Sequence, residues 1–329
     1  MVRETEKKID GVVHTIAVKL PNELQLRVLS FAFLHALRSQ YPSAEIHLIC
    51  AKHGIEVLNL LPFKNFFYHE FDDEEIKSVF DVHRYCAGAK IYNVDLFISL
   101  SDSFYDCCLG LGLRAKKRVG YKKGLNGFVL NEVHNWMNGQ HVTDNHYQLI
   151  EFNPDQSFRI LSRELRPILE EDLKYIAFNI GPLNKGQIDE VWREVCSRLQ
   201  NQNIVLFTDL SEDKFILNQK EFLSHLNPQN NYKFFLSEDY IELSQMIAFS
   251  QGVITRNGVV SCLSAYCGTP TLILNDREDP QIFGPFHFMA ELKYINLDFK
   301  AAGAELERPS QFSAEEVSLS AFDFFKLYL

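Results

Sequence analysis

The order of segments in residues 14–121 constrains the fold more than any other feature of the chain. Short apolar runs bounded by polar turns alternate with longer stretches of helical periodicity. HTIAVKL at residues 14–20 reads as a strand, and LQLRVLSFAFLHALRSQYP at 24–42 as a helix that stops at Pro42. AEIHLIC at 44–50 reads as a second strand, residues 53–62 as a helix or half-helix, VDLFISLS at 94–101 as a third strand and KKRVGY at 116–121 as a short strand. Repetition of strand, helix and strand builds right-handed βαβ units around a parallel sheet.

The second half repeats the plan. Strands are expected at 175–181, 203–210 and 269–276, and a further strand with its turn at GVITRN. Helices are expected at 186–202, 240–250 and 259–268, with Gly268 suited to end the last of these. Proline and charge cluster between the two patterns at residues 152–172, which marks a join. The reading is α/β, with an N-terminal Rossmann-like domain at 1–160 and a C-terminal one at 173–329. The apolar tail helix at 314–329 must pack on something, and it is expected to cross back onto the first domain and bury Phe322, Phe324 and Phe325. Two doubly wound domains in series bring their strand C-termini to a shared cleft, which suits a donor in one domain and an acceptor in the other.

Composition narrows the function classes. A length of 329 residues exceeds what one hydrophobic core usually serves. The net charge of −10 argues against a nucleic-acid partner and limits membrane contact to a peripheral, local kind. One basic run stands out, RAKKRVGYKKG at 114–124, read either as an acceptor-facing patch or as a solvated edge strand. The seven cysteines show no zinc spacing and read as buried reduced thiols of a cytoplasmic protein. His134, His141 and His146 do not share a helix face, so no metal site is read there.

The stretch ITRNGVVSCLSAYCGTPTLIL at 254–274 joins a strand to a helix through Asn257-Gly258. Free N–H groups and the positive dipole end at the start of that helix form a ready anion site. Asn257 is a candidate N-cap. A plain βα turn is the alternative reading of the same residues.

The segment VITRNGVVSCLSAYCGTPTLILNDREDPQIFGP resembles the donor-binding region of the glycosyltransferase family 9 heptosyltransferases, which read roughly VVGNDTGPMHLAAALGTPTVALFGPTDP. Shared features are Gly268-Thr269-Pro270-Thr271, Asp279-Pro280 and Gly284-Pro285. Four further stretches are similar to that family in the same order: 28–49, VDLFISLSDSF with RAKKRVGY, FNIGPLNKGQIDEVWREV and FSAEEV. The resemblance implies a GT-B arrangement and an inverting, metal-independent transfer. The implied donor is an ADP-linked heptose, and the implied acceptor a lipid-linked or other bacterial glycan such as the lipopolysaccharide core. No separate cofactor is implied.

Residue by residue, the resemblance implies a donor diphosphate held by Lys185 and by the backbone of Asn257, Gly258, Val259, Val260 and Ser261, with Glu212 accepting from the ribose. Arg118 and Lys122 are the acceptor-side candidates. The family's DTGPMH becomes Asn257-Gly258-Val259-Val260-Ser261-Cys262, which loses a carboxylate and an imidazole but no backbone donor. The family's loop acid, which resembles a general base, falls on Leu26, and Glu23 is the only acid between the first strand and the first helix. Glu23 is therefore either the base or a solvated first-turn acid favoured by the helix dipole. A catalytically inactive or repurposed homologue that keeps the fold is the alternative function.

Overall fold

The computed structural model describes residues 13–71, 76–153, 174–180, 194–208, 226, 228–237, 239–275, 279–296 and 314–326. The first sheet is built from β1 (Thr15–Lys19), β2 (Glu45–Cys50), β3 (Phe66–Glu70), β4 (Leu96–Ser99), β5 (Lys117–Tyr121) and β6 (Glu132–His134). The second uses β7 (Ile176–Asn179), β8 (Asn203–Phe207), β9 (Asn231–Phe234), β10 (Gly252–Arg256), β11 (Thr271–Asn275) and β12 (Leu292–Asn296). Their orders are β3-β2-β1-β4-β5-β6 and β12-β11-β10-β7-β8-β9. Every pairing is parallel, and both orders reduce to 3-2-1-4-5-6, the doubly wound dinucleotide-binding order. The two sheets thus occupy residues 15–134 and 176–296, and the segment 154–173 between them lies outside the described residues.

The helices that matter to the cleft are α1 (Leu24–Gln40), α2 (Val79–Gly88), α3 (Phe104–Gly112), the single turn α4 (Asn126–Val129) and α5 (Val142–Gln148) in the first half. The second half supplies α6 (Tyr240–Phe249), α7 (Val259–Tyr266), α8 (Pro280–Phe283) and α9 (Ala314–Phe325). Helix α1 buries most of its surface, from Val28 through Leu37, because it lies between its own sheet and the second domain. Phe31 meets the Tyr266 ring edge-on at 4.9 Å, and the Tyr266 hydroxyl donates to Leu60 O at 3.3 Å. Side chains of both domains therefore share one apolar cluster, with Val28, Phe31 and Leu34 of α1 in it beside Val260, Leu263 and Tyr266 of α7.

The tail helix does not cross to the first domain. Phe324 and Phe325 of α9 belong to a cluster with Ile176, Phe178, Leu199 and Ile254 of the second domain, whereas Phe322 remains 36% exposed. Gly252 explains the docking: a Cβ there would run into the Phe325 ring, so its missing side chain lets α9 close onto the second sheet. The Arg198 Nε donates to Ser318 Oγ at 2.7 Å and the Lys293 ammonium to Ser320 O at 3.2 Å, which fix α9 to the same domain. The basic run is not a sheet edge either, since β6 covers β5. All seven cysteines are buried and none is in a disulfide. Among the described residues no helix is long and apolar enough to cross a membrane.

Three histidines are sealed in the first domain or its boundary. His146 Nδ1 lies 2.7 Å from the Tyr121 hydroxyl. His141 accepts from Thr143 N–H through Nδ1, which leaves Nε2–H to donate to Gly284 O of the second domain at 2.6 Å. His35 Nε2 lies 3.4 Å from the Tyr266 hydroxyl. Burial pushes His35 down to about 4, burial and then the His287 charge push His141 to about 4, and burial and then His141 push His146 to about 3. Unfolded histidine titrates near 6.5. Between those values the unfolded chain binds protons that the folded chain refuses. Stability is therefore full above about pH 6.5 and is lost as the pH falls toward 4, by roughly 1.4 kcal/mol per pH unit for each histidine involved. Urea midpoints measured from pH 7 to 4.5 should show that slope, and His141→Gln should flatten it.

Candidate functional site

In a doubly wound sheet, ligands bind outside the carboxyl ends of the strands, where the strand order reverses. That point lies between β1 and β4 in the first sheet and between β7 and β10 in the second. The loops that follow β1, β4 and β10 are therefore the ones to inspect. The residues after β7 begin at 181 and lie outside the described residues, as do Lys185 and Glu212.

At the second switch point, Asn257 still belongs to the ladder, with its N–H on Leu274 O at 3.3 Å. The chain then leaves through Gly258, which is extended at φ 169 and would have open space around a Cβ. The N-cap of α7 is Gly258 and not Asn257: β10 ends at Arg256, and Asn257 lies in the turn with its N–H still bonded to Leu274 O. Ser261 supplies the reciprocal contact: its Oγ accepts from Gly258 N–H at 3.1 Å. The first intrahelical bond is Cys262 N–H to Gly258 O at 3.2 Å, so the N–H groups of Val259, Val260 and Ser261 precede it. Asn257 is 9% exposed, and its Nδ2 is buried without a hydrogen-bond partner. A buried amide donor left open beside a helix N-terminus is costly unless something else completes it. Nearby, Asn179 Nδ2 donates to Thr255 Oγ1 at 3.1 Å and ties β7 to β10 at the switch point itself.

The first switch point is built differently. Glu23 is the N-cap of α1, in extended conformation, with an exposed side chain that makes no cap hydrogen bond. Leu26, one turn on, packs against the shared core. The loop carrying Glu23 is held by two buried cations that the sequence reading did not single out. Arg27 is fully buried and donates to three carbonyls: Pro21 O from Nε at 3.3 Å, His53 O from Nη1 at 2.7 Å and Asn22 O from Nη2 at 3.0 Å. Lys19, at the end of β1, is fully buried as well. Its ammonium donates to Leu20 O at 3.0 Å and Asn22 Oδ1 at 2.6 Å, and lies 3.6 Å from the Asp106 carboxylate on α3. A lysine closing an apolar strand, followed three residues later by asparagine, was the one signal available.

The acceptor candidates separate. Arg118 sits at the start of β5, the end of the strand away from the cleft, and its guanidinium is spent on Val129 O and Ala115 O at 2.8 Å each. Those carbonyls hold its guanidinium against its own domain, away from the carboxyl ends of the strands. Lys122 follows the carboxyl end of β5 and is exposed on the cleft side. Its neighbour Lys123 pairs with Asp102, in the loop after β4. Among the described residues, His141, Asp144 and His287 place ligand-type atoms within 4.8 Å of one another. Both nitrogens of His141 are already engaged with backbone groups, so that ring has no lone pair to offer a cation.

The Lys19–Asp106 pair generates a test. Removing one partner of a buried ion pair leaves an uncompensated charge, at a cost of about 3–5 kcal/mol. Lys19→Met should lower stability by that amount in urea unfolding, and adding Asp106→Leu should restore most of it.

No protein-family model and no curated protein matches the sequence. Solved structures do. The chain is similar to the Escherichia coli ADP-heptose lipopolysaccharide heptosyltransferase II at 14% identity, over 96% of this chain and 100% of that one, with TM-score 0.67. It is similar to a family 9 glycosyl transferase from Veillonella parvula at 16% identity, over 97% and 99%, with TM-score 0.74. It is similar to the E. coli heptosyltransferase WaaC with ADP at 12% identity, over 94% and 99%, with TM-score 0.72. At such identities the likeness is one of fold, and the GT-B arrangement of two Rossmann-like domains that these glycosyltransferase structures share is the architecture of this chain.

Proposed function

We propose that this protein is a glycosyltransferase that binds a nucleotide-diphosphate sugar at the start of α7 and moves the sugar to an acceptor bound by the first domain. The observation that carries the reading is Asn257 Nδ2, buried without a hydrogen-bond partner beside the first-turn N–H groups of Val259, Val260 and Ser261, while Asn257 Oδ1 accepts from Ser261 Oγ at 3.5 Å. A diphosphate there would accept from those amides and from Asn257 Nδ2, with the helix dipole adding to the attraction. End-to-end likeness in fold to heptosyltransferase structures, one of them with ADP, supports an ADP-linked donor and favours heptose as the sugar. Lys185 and Glu212 are assigned to the diphosphate and the ribose by the resemblance of the sequence alone.

In the reaction, an acceptor hydroxyl oxygen attacks the anomeric carbon from the face opposite the diphosphate. The bond to the diphosphate oxygen breaks, the hydroxyl proton passes to Glu23, and the configuration inverts. Backbone donors and Lys185 offset the charge that develops on the leaving group, so the scheme needs no metal. Lys122 on the first domain favours an acceptor that carries negative charge, such as a lipid-linked bacterial glycan or lipopolysaccharide core. One observation favours a second reading, in which the chain keeps nucleotide binding but has lost turnover: Leu26, half-buried against the core, stands where the family places its acid.

Two variants separate these readings. Asn257→Ala should leave the melting temperature unchanged and weaken ADP binding by about 1.5–3 kcal/mol, the range for a hydrogen bond to a charged group. An unaltered dissociation constant by calorimetry would remove the diphosphate from this turn. Glu23→Gln should cut sugar transfer by about 10²–10⁴-fold with ADP binding intact. ADP binding with no transfer by the wild type, across a panel of acidic glycan acceptors, would establish the second reading.

A further inference from the structure

Of the turn that follows β5, the scheme above uses Lys122 alone. It presents Leu125 and Phe128, 58% and 84% exposed, at an i,i+3 spacing that puts both on one side of α4. A Cβ added at Gly124 or at Gly127 would meet nothing within 4 Å, so the outer side of this turn faces open space. Asn126, between the two apolar residues, is buried and donates through Nδ2 to Asp102 O and Tyr121 O, which roots the protrusion firmly. The Tyr121 ring in turn holds Trp136 edge-on at 4.9 Å. Trp136 and its neighbour Met137 are 39% and 46% exposed, in a second loop tied to the same residue. Lys122 and Lys123 precede the turn, and among the described residues the acid paired with them is Asp102, on Lys123.

We infer that this surface docks on an anionic lipid bilayer, with Leu125 and Phe128 inserted at the headgroup boundary and Lys122 and Lys123 facing the lipid phosphates. The exposed tip of one helical turn and one loop is small beside the roughly 1,200–2,000 Å² that a stable protein–protein interface buries. It does suit a bilayer, where a few large apolar side chains and flanking cations act together. Tryptophan is the side chain that best fits the boundary between apolar and wet layers. Charge supports the same partner: a chain of net charge −10 would be repelled by an anionic surface on average, and here two lysines gather where the apolar residues protrude. The site lies at the carboxyl end of β5, the same edge as the Glu23 loop, so a docked protein would turn its first-domain loops toward molecules held in the membrane.

The inference does not depend on transferase activity, and its test measures none. Full-length protein is sedimented with vesicles of phosphatidylcholine alone and of phosphatidylcholine with 30% phosphatidylglycerol. Wild type should partition onto the anionic vesicles and leave the neutral ones. Leu125→Ser with Phe128→Ser should lower that partitioning at least about tenfold, since insertion scales with buried apolar area. Lys122→Glu should lower it by about fivefold or more at low salt, and less at high salt. Melting temperatures of all variants should match wild type, because the substituted side chains are exposed. Equal binding of the double serine variant, or no wild-type binding to anionic vesicles, would overturn the proposal. So would a wild-type dimer that the serine substitutions split in the absence of lipid, which would assign the surface to a second copy of the chain.

Discussion

The packing of α1 on α7 is the contact on which the cleft depends. Each helix follows a central strand of its own sheet, β1 or β10, and starts at the edge where a doubly wound sheet binds its ligands. Phe31 against Tyr266, with the Tyr266 hydroxyl on Leu60 O, fuses the interior of one domain to that of the other. Close-packed interiors yield little to small forces. The start of α7 and the Glu23 loop are thus set by the same buried surface that holds the domains together. Two smaller links lie nearer the cleft: Gln25 Nε2 donates to Phe283 O at 3.3 Å, and His141 donates to Gly284 O. The loop after α8 is therefore bonded to the first domain although it belongs to the second.

Within that frame the two halves of the site are made in different ways. The proposed donor side is mainly backbone: an extended glycine, the first amides of α7 and one amide side chain. The β1–α1 loop is instead braced from below by Lys19 and Arg27, whose donors fill the carbonyls of Leu20, Pro21, Asn22 and His53. Buried cations are tolerated when every donor finds an oxygen and a counter-charge lies close. Asp106 is that counter-charge for Lys19. The bracing removes the loop's freedom, so Glu23 is presented at a fixed place, exposed, with Leu26 half-buried against the core.

How much of this was legible in the sequence follows from burial. The inner strands β1, β2, β4, β5, β7, β8, β10 and β11 all show as apolar runs, because both of their faces are covered. The four strands absent from the sequence reading, β3, β6, β9 and β12, are the four sheet edges. They are short and half-exposed, as in NYKF and LKYIN, and their pattern carries no clear period. The Asn257–Ser261 turn was legible because a strand, a glycine and a helix in that order have few other solutions. Lys19, Arg27 and Asp106 were not, because a charged residue at the end of an apolar run reads as the start of the surface. The spread of the basic run was not legible either: β5 places Arg118 near its start, on Val129 O and Ala115 O, and Lys122 beyond its carboxyl end. The docking of α9 turned on Gly252, whose missing Cβ matters only once the ring of Phe325 is known to lie over it.

This asymmetry bears on how a chain at 12–16% identity can keep a whole fold while its loop side chains change. Backbone N–H groups do not depend on the residue that carries them, so an anion site at a helix start survives the exchange of Asp for Asn and of His for Cys around it. A proton acceptor has no such protection. It must be a particular side chain, within hydrogen-bond reach of the hydroxyl it serves. Substitution in the β1–α1 loop therefore threatens turnover long before it threatens nucleotide binding. The physical question at this site reduces to one side chain, Glu23, held at the start of the helix that carries the contact between the domains.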